Sequence, residues 1–273
     1  MTTGKISLET LPACVICGGD LFTVLTAPDG VCEQVVLQEC KDCGVTQQNP
    51  RLSHESMVAV ENDSTVYDMS PEEVERAISG PVAGLAAHFE GYVRSGGKRW
   101  LDIGCNRGLL LEAARRRGWQ VTGIEIADEA AQRARTEFGL TIYPDLAAIE
   151  QEPPFDVITA WHVLEHTYDP VAFLRAAEAR LAPGGVLAVQ VPAFEHIEDY
   201  RARGQFSGIV CAVHNFYFTA TTLRQVVTRA GLQPLYVSAD PDMLLLTAIC
   251  LKPVEVSAPQ RMWQMLRARL RLG

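Results

Sequence analysis

At 273 residues, 48% of them hydrophobic, the chain can build one good-sized domain with a small appendage. Its 33 acidic residues against 24 Lys plus Arg give a formal net charge of -9, a poor match to nucleic acid, whose phosphates are held by Lys and Arg. The sequence reads without a charged-then-apolar leader or a run long enough to span a bilayer. A cytoplasmic protein with no transmembrane segment is therefore expected, and its eight cysteines are expected as metal ligands or free thiols rather than disulfides.

Residues 1–50 stand apart. Cys14-Val-Ile-Cys17 and Cys40-Lys-Asp-Cys43 are two C-x2-C pairs, each followed directly by a glycine, Gly18 and Gly44. Four thiolates at that spacing suit tetrahedral Zn²⁺, closed to water and therefore structural, in a segment with little core of its own. The alternative is a ribbon that folds by docking, its thiols empty. A redox pair is disfavoured, because that motif normally occurs once, at a helix start. Cys32 reads as a small packed residue on a hairpin between the pairs.

Residues 51–95 read as a helical cap or linker. Ser70-Pro71-Glu72-Glu73 supplies an N-cap, a proline at the first helical position and acids in the first turn. Pro81 opens a further helix that carries His88 and Tyr92. Such a cap would cover a cofactor or an acceptor; a solvated linker is the plainer alternative.

Residues 96–252 alternate between strand and helix patterns. A short apolar strand, Leu101-Asp102-Ile103, stops at Gly104, and a helix follows Gly108. Three residues separate the two glycines, so the dinucleotide pattern G-x-G-x-x-G is absent. A second strand over 120–125 ends in Glu125, a carboxylate placed to accept two ribose hydroxyls. A helix over 128–138, a strand over 140–143 and the acid Asp145 follow. Further strands are expected over 155–160 and 186–191, the second entered through the turn Pro183-Gly184-Gly185. Helices are expected over 170–181 and 219–231. This alternation specifies an α/β fold with a parallel sheet.

In order, Leu101-Asp102-Ile103-Gly104-Cys105-Asn106-Arg107-Gly108, Gly123-Ile124-Glu125, Phe155-Asp156-Val157, Val163-Leu164-Glu165-His166 with Asp169-Pro170, and Leu181-Ala182-Pro183-Gly184-Gly185 resemble the motifs of class I S-adenosylmethionine (SAM)-dependent methyltransferases. The branch resembled is the small-molecule one that includes ubiquinone-biosynthesis O-methyltransferases. The ribbon resembles the zinc-binding N-terminus of some sugar C-methyltransferases. The resemblance implies a Rossmann-like, doubly wound, mostly parallel seven-stranded sheet that binds SAM. Asp102, Gly104, Cys105 and Gly108 would hold the methionine end, Glu125 and Ile126 the ribose, and Asp145 and Leu146 the adenine. Trp161 would line the cofactor or the reacting methyl. The family often has a glycine or alanine between the two glycines, where Cys105-Asn106-Arg107 fill the loop here; Arg107 is expected at the surface or against an acidic substrate.

A hydroxyl nucleophile needs a base, and the histidines supply candidates. If 162–166 forms a helical turn, His162, Glu165 and His166 share one face. The spelling H-x-x-E-H also fits an inverted zinc-protease motif, which the methyltransferase context overrides. The resemblance places a divalent metal at these positions in the ubiquinone-type branch, with an acid where this chain has His162. Glu165 and His166 have a structural alternative, capping loops or bonding backbone. The long connection over 192–218 is expected to be a substrate lid. Its His214 is preferred as base, because a lid residue can close over the acceptor and exclude water; packing of the lid is its alternative. The expected reaction is methylation of a hydroxyl on a small-molecule acceptor, a sugar or secondary metabolite. Carbon or nitrogen methylation, a protein or RNA modifier gripped by the ribbon, and a non-catalytic SAM-binding partner are the rivals. A basic amphipathic tail over 253–273 is expected to dock on the acidic body or a second subunit, or to touch an anionic membrane.

Overall fold

The computed structural model describes residues 6–62, 69–93 and 96–253. The ribbon strands come first: β1 (Leu8–Glu9), β2 (Leu21–Asp29), β3 (Glu33–Cys40), β4 (Thr46–Gln48) and β5 (Arg51–Leu52). The cap helices follow: α1 (His54–Asn62), α2 (Pro71–Ser79) and α3 (Pro81–Glu90). Ser70 closes a complete capping box with Glu73 at the start of α2, as its sequence requires. α3 stops at Glu90, so Tyr92 lies beyond it in the following turn rather than on the helix.

The body then runs β6 (Arg99–Ile103), α4 (Leu109–Arg116), β7 (Gln120–Ile124), α5 (Asp128–Phe138), β8 (Ile142–Tyr143), β9 (Phe155–Trp161), α6 (Pro170–Arg180) and β10 (Leu181–Pro192). The connection after β10 holds α7 (Ile197–Ala202), α8 (Phe206–Ile209) and β11 (Phe216–Tyr217), before α9 (Ala220–Arg229), β12 (Gln233–Asp240) and β13 (Leu245–Leu251). The seven-stranded sheet has the order β12-β13-β10-β9-β6-β7-β8. Every pair from β10 to β8 is parallel; β13 alone runs against its two neighbours. This is the expected Rossmann-like, mostly parallel sheet.

Alternation along the central strands feeds two cores. Leu101, Ile158 and Leu187 pack with Leu174 of α6 and Val226 of α9. Trp100, Val157 and Ala188 pack with Phe89 of α3, Leu111 of α4 and Ala134 of α5. Two strand boundaries differ from expectation. The strand expected over 140–143 pairs only at Ile142–Tyr143. Pro183-Gly184-Gly185 is absorbed inside β10 as a bulge, the ladder breaking at Leu181 and resuming at Val186. Gly185 passes so close to the Ala182 carbonyl that a Cβ would lie 2.8 Å from it.

The ribbon is built into this body. Its sheet has the order β11-β4-β3-β2, so the connection after β10 supplies an edge strand to the segment expected to end at residue 50. Cys14, Cys40 and Cys43 belong to the same buried cluster as Leu223 and Val226 of α9. Among the described residues, no helix is long and apolar enough to cross a membrane. The tail expected to form a helix lies, from residue 254 on, outside the described residues.

Candidate cofactor and catalytic site

The loop between β6 and α4 is a left-handed path. Gly104, Asn106 and Gly108 have φ of 71°, 48° and 79°. A Cβ on Gly104 would sit 2.4 Å from the Val163 side chain, and one on Gly108 2.4 Å from that of Leu140, so glycine is required at both. The loop is pinned from below, where the Gly104 and Cys105 N–H groups donate to the Ile124 carbonyl at 2.8 and 3.0 Å. Beside it stands Glu125, one residue past β7. Its two oxygens accept from the Asn106 and Ala127 N–H groups at 2.8 and 2.9 Å. Each carboxylate oxygen keeps a further lone pair, and the backbone fixes which way it points. Ile126, next to it, is 52% exposed, an uncovered apolar side chain at the same edge.

Arg107 is not at the surface, one of its two expected places. It is 6% exposed, and one guanidinium nitrogen reaches both Glu137 oxygens on α5 at 2.8 and 2.7 Å. It fastens the loop to the neighbouring helix and also lines the cavity that opens over the loop.

A cavity of about 440 Å³ opens over this loop. Asp102, Gly104, Cys105, Asn106 and Trp161 line it from the sheet, and Met69, Val82 and Leu85 from the cap. Gly108, Glu125, Ile126, Asp145 and Leu146 lie outside its lining. Asp145 caps the turn Ala147–Ile149 through the Ala148 N–H at 2.9 Å, and Leu146 packs half-buried on the core. Asp102 accepts from the Thr159 hydroxyl at 2.5 Å, and Thr159 in turn accepts from the Trp100 indole at 3.0 Å. Burial pushes the Asp102 pKa up to about 7; the Thr159 bond opposes this and the Glu125 charge adds to it.

A second cavity, of about 450 Å³, lies between α3 and the exposed face of β10, β13 and β12. Leu85 and Trp161 are common to both cavities. The Trp161 Nε1 is buried there without a hydrogen-bond partner in the protein. No residue of 192–218 lines either cavity, so that connection is not the wall the sequence suggests.

The expected histidines gather at the end of β9. The turn Leu164–His166 is 3-10, which brings His162 Nδ1 to 3.3 Å from Glu165 Oε1. His162 is about half exposed and has φ of 52°, a left-handed conformation rare for a residue with a Cβ. Glu165 is 1% exposed. Burial opposes its charge, but the His162 hydrogen bond and the charges of His166 and His214 outweigh burial and hold its carboxyl below the usual range. His166 and His214 meet edge to face with ring centres 4.8 Å apart.

His214 is 8% exposed, the opposite of a base that closes over an acceptor. Its Nδ1 donates to the Ile209 carbonyl at 2.7 Å, which leaves Nε2 as the acceptor nitrogen. Burial, then the charge of His166, depress its pKa to about 4. Glu165, His166 and His214 bring one donor atom each within 4.8 Å of one another, a grouping that replaces the expected one of His162, Glu165 and His166. The residue that sequence reasoning left without a role is Asn215. It is fully buried, its N–H donates to the Glu165 carbonyl at 2.7 Å, and its amide donates to the His166 carbonyl at 3.0 Å. Its own carbonyl accepts from Gln48 N–H of the ribbon at 2.9 Å. A lone amide directly before the apolar run Phe216-Tyr217-Phe218 was the available signal.

The four ribbon cysteines also converge. All four sulfurs lie within 4.8 Å of one another, with Cys14 to Cys43 at 3.7 Å and Cys17 to Cys40 at 3.4 Å. Thiolates about 2.3 Å from a tetrahedral zinc would stand roughly 3.8 Å apart, so the set fits that ion. Gly18 and Gly44 have φ of 77° and 69°, and their N–H groups close each knuckle onto the Cys14 and Cys40 carbonyls.

Residues 66–237 match the family described as a methyltransferase domain. Similar curated proteins include the ubiquinone biosynthesis O-methyltransferase of Xanthomonas campestris pv. campestris, 43% identical over 100 residues that cover 33% of this chain and 41% of that protein. The protein of the same name from Idiomarina loihiensis is 39% identical over 126 residues, covering 43% and 49%. The match thus spans less than half the length of these relatives. Among solved structures, the plantazolicin methyltransferase BpumL in complex with S-adenosylhomocysteine (SAH) aligns with a TM-score of 0.53 at 14% identity, over 74% of this chain and 91% of that one. The CcbJ methyltransferase of Streptomyces caelestis aligns with a TM-score of 0.51 at 15% identity, over 65% and 92%. These two share the fold.

Proposed function

The chain belongs to the methyltransferase-domain family, and from that membership we propose that it methylates a hydroxyl of a small-molecule acceptor at the expense of SAM. The observation that carries the reading is Glu125, a carboxylate aimed by two backbone N–H groups at the edge of a glycine loop where a Cβ is not tolerated. SAM supplies a sulfonium methyl: the acceptor oxygen forms the new C–O bond, the C–S bond breaks with its electron pair returning to sulfur, and the acceptor proton leaves.

The chain's own residues divide that work. Glu125 accepts the ribose hydroxyls and Ile126 covers the sugar. The backbone of Gly104, Cys105 and Gly108 holds the methionine end, with the Asp102 carboxylate facing its ammonium. Asp145 and Leu146 frame the adenine from the next loop. Trp161 orients the reacting groups at the wall between the two cavities, and alignment of this kind alone supplies several kcal/mol. The proton goes to His162, the accessible imidazole of the cluster, whose ring Glu165 orients. Half-buried His166 and buried His214 meet edge to face behind it. The ribbon holds one structural zinc on Cys14, Cys17, Cys40 and Cys43.

Glu125→Ala tests the placement. It is expected to weaken SAH binding by about 1–3 kcal/mol, the cost of leaving ribose hydroxyls unpaired. Titration calorimetry with an unchanged SAH affinity would refute it.

A further inference from the structure

One row of side chains crosses four strands of the sheet on the cap side. Trp161 of β9 is in register with Gln190 of β10, Gln190 with Thr247 of β13, and Thr247 with Ser238 of β12. The row before it is Ala188, Ile249 and Tyr236. A run of three polar side chains in the middle of such a sheet is costly to cover with an apolar helix, because each loses water without gaining a partner. The fold leaves them uncovered, as the half-buried floor of the second cavity.

That floor has both polarities. Gln190 Nε2 donates to the Thr247 hydroxyl at 3.0 Å, which leaves the Gln190 carbonyl as an acceptor and turns the Thr247 hydrogen outward. Ser238 donates to the Ala239 carbonyl and keeps its oxygen lone pairs. At the inner end, the buried Trp161 Nε1 is a donor without a protein partner. A hydroxyl gives and takes a hydrogen bond, and it can satisfy such a row; an ammonium only gives. The walls are aromatic: His88, Phe89 and Tyr92 from the cap side, Tyr236 from β12. Among the described residues no lysine or arginine lines the cavity; His88 and Asp240 do, so an anionic acceptor meets no guanidinium or ammonium there and faces the Asp240 carboxylate.

We propose that the second cavity is the acceptor site, and that the row Trp161–Gln190–Thr247–Ser238 selects an uncharged ring bearing several hydroxyls, its reacting hydroxyl at the Trp161 end. The cavity's size falls in the range of small-molecule sites, roughly 300–1,000 Å³. Trp161 and Leu85 line both cavities, so the Trp161 end of the row is where this cavity adjoins the one over the glycine loop, in which the sulfonium methyl is proposed to lie. The inference rests on the methyltransferase reading above. Two sources share this chemistry, a phenolic ring and a sugar.

The test uses the full chain saturated with SAH. Catechol and a methyl glucoside serve as neutral probes, protocatechuate and glucose 6-phosphate as anionic ones, and benzylamine as a cationic one, with binding read by calorimetry and Trp fluorescence. At least one neutral probe is expected to bind best, and the tighter of the two assigns the source. Gln190→Leu should weaken it about 10-fold or more and leave SAH affinity within about 2-fold, since a site built to bond hydroxyls loses much of its grip with one partner gone. If Gln190→Leu does not fold, Ser238→Ala at the exposed end of the row gives the same direction. Unaltered binding in a folded variant, no binding of either neutral probe, or tighter binding of an ionic one overturns this inference alone. A wild-type chain that binds no SAH overturns the methyltransferase reading, and this inference with it.

Discussion

Asp102 is under two opposed demands. Its carboxyl is buried against Thr159, and burial raises its pKa to about 7. A carboxyl whose folded pKa exceeds its unfolded value of roughly 3.9 favours the folded state below that value. The advantage is lost as pH rises through the folded pKa, so at pH 8 the ionised group weakens the free protein. That same ionised group is the one expected to attract the methionine ammonium. Asp102→Asn should therefore raise Tm at pH 8 more than at pH 5, by about 2–4 °C for each kcal/mol recovered. It should also weaken SAH binding at pH 8, and flatten the rise in affinity that the wild type is expected to show through pH 7. Scanning calorimetry with the same Tm change at both pH values would contradict the assignment. At this scale, legibility followed the backbone. Gly104 and Gly108 were readable because their left-handed conformations and close neighbours admit no other residue. Arg107 was not, because its partner Glu137 sits 30 residues on and only the docking of α5 brings it near.

Among elements, the strand–helix alternation specified the sheet because each central strand is an apolar run bounded by turn residues. The connection of 192–218 was opaque for a physical reason. β11 is two residues long and gains its strand character only from β4, which precedes it by some 170 residues. That pairing buries His214 and puts Asn215 between the ribbon and the turn after β9. Asn215→Leu would keep the backbone bond to the Glu165 carbonyl but strip the His166 and Thr167 carbonyls of the amide that donates to them, at a cost of about 1–3 kcal/mol. The turn that aims His162 should then loosen: kcat is expected to fall by about 10-fold or more while SAH affinity holds. A variant with lowered Tm and undiminished kcat would show Asn215 to be a structural stitch without influence on the proposed base.

For the molecule as a whole, the question is whether the ribbon is an appendage or a part of the body. Its composition, two cysteine pairs in a short segment, suggested a module that folds around its own metal. The packing says otherwise. Cys14, Cys40 and Cys43 share a buried cluster with α6, α9 and the central strands, and β11 closes the ribbon sheet from the far end of the chain. Arg51 adds a tie across the same seam, donating to the Tyr168 carbonyl at 2.9 Å. Units joined by so much buried surface should unfold together. One zinc per chain is expected by elemental analysis, and one transition by calorimetry. SAH should move that transition up, because it binds only the folded state. Cys40→Ser should move the same transition down by roughly 10 °C or more, since loss of a metal ligand ranks with substitutions costing about 4 kcal/mol or more. If the variant instead splits the trace into an early ribbon transition and a late one at the wild-type temperature, the ribbon is an independent module and the β4–β11 seam does not couple it to the site.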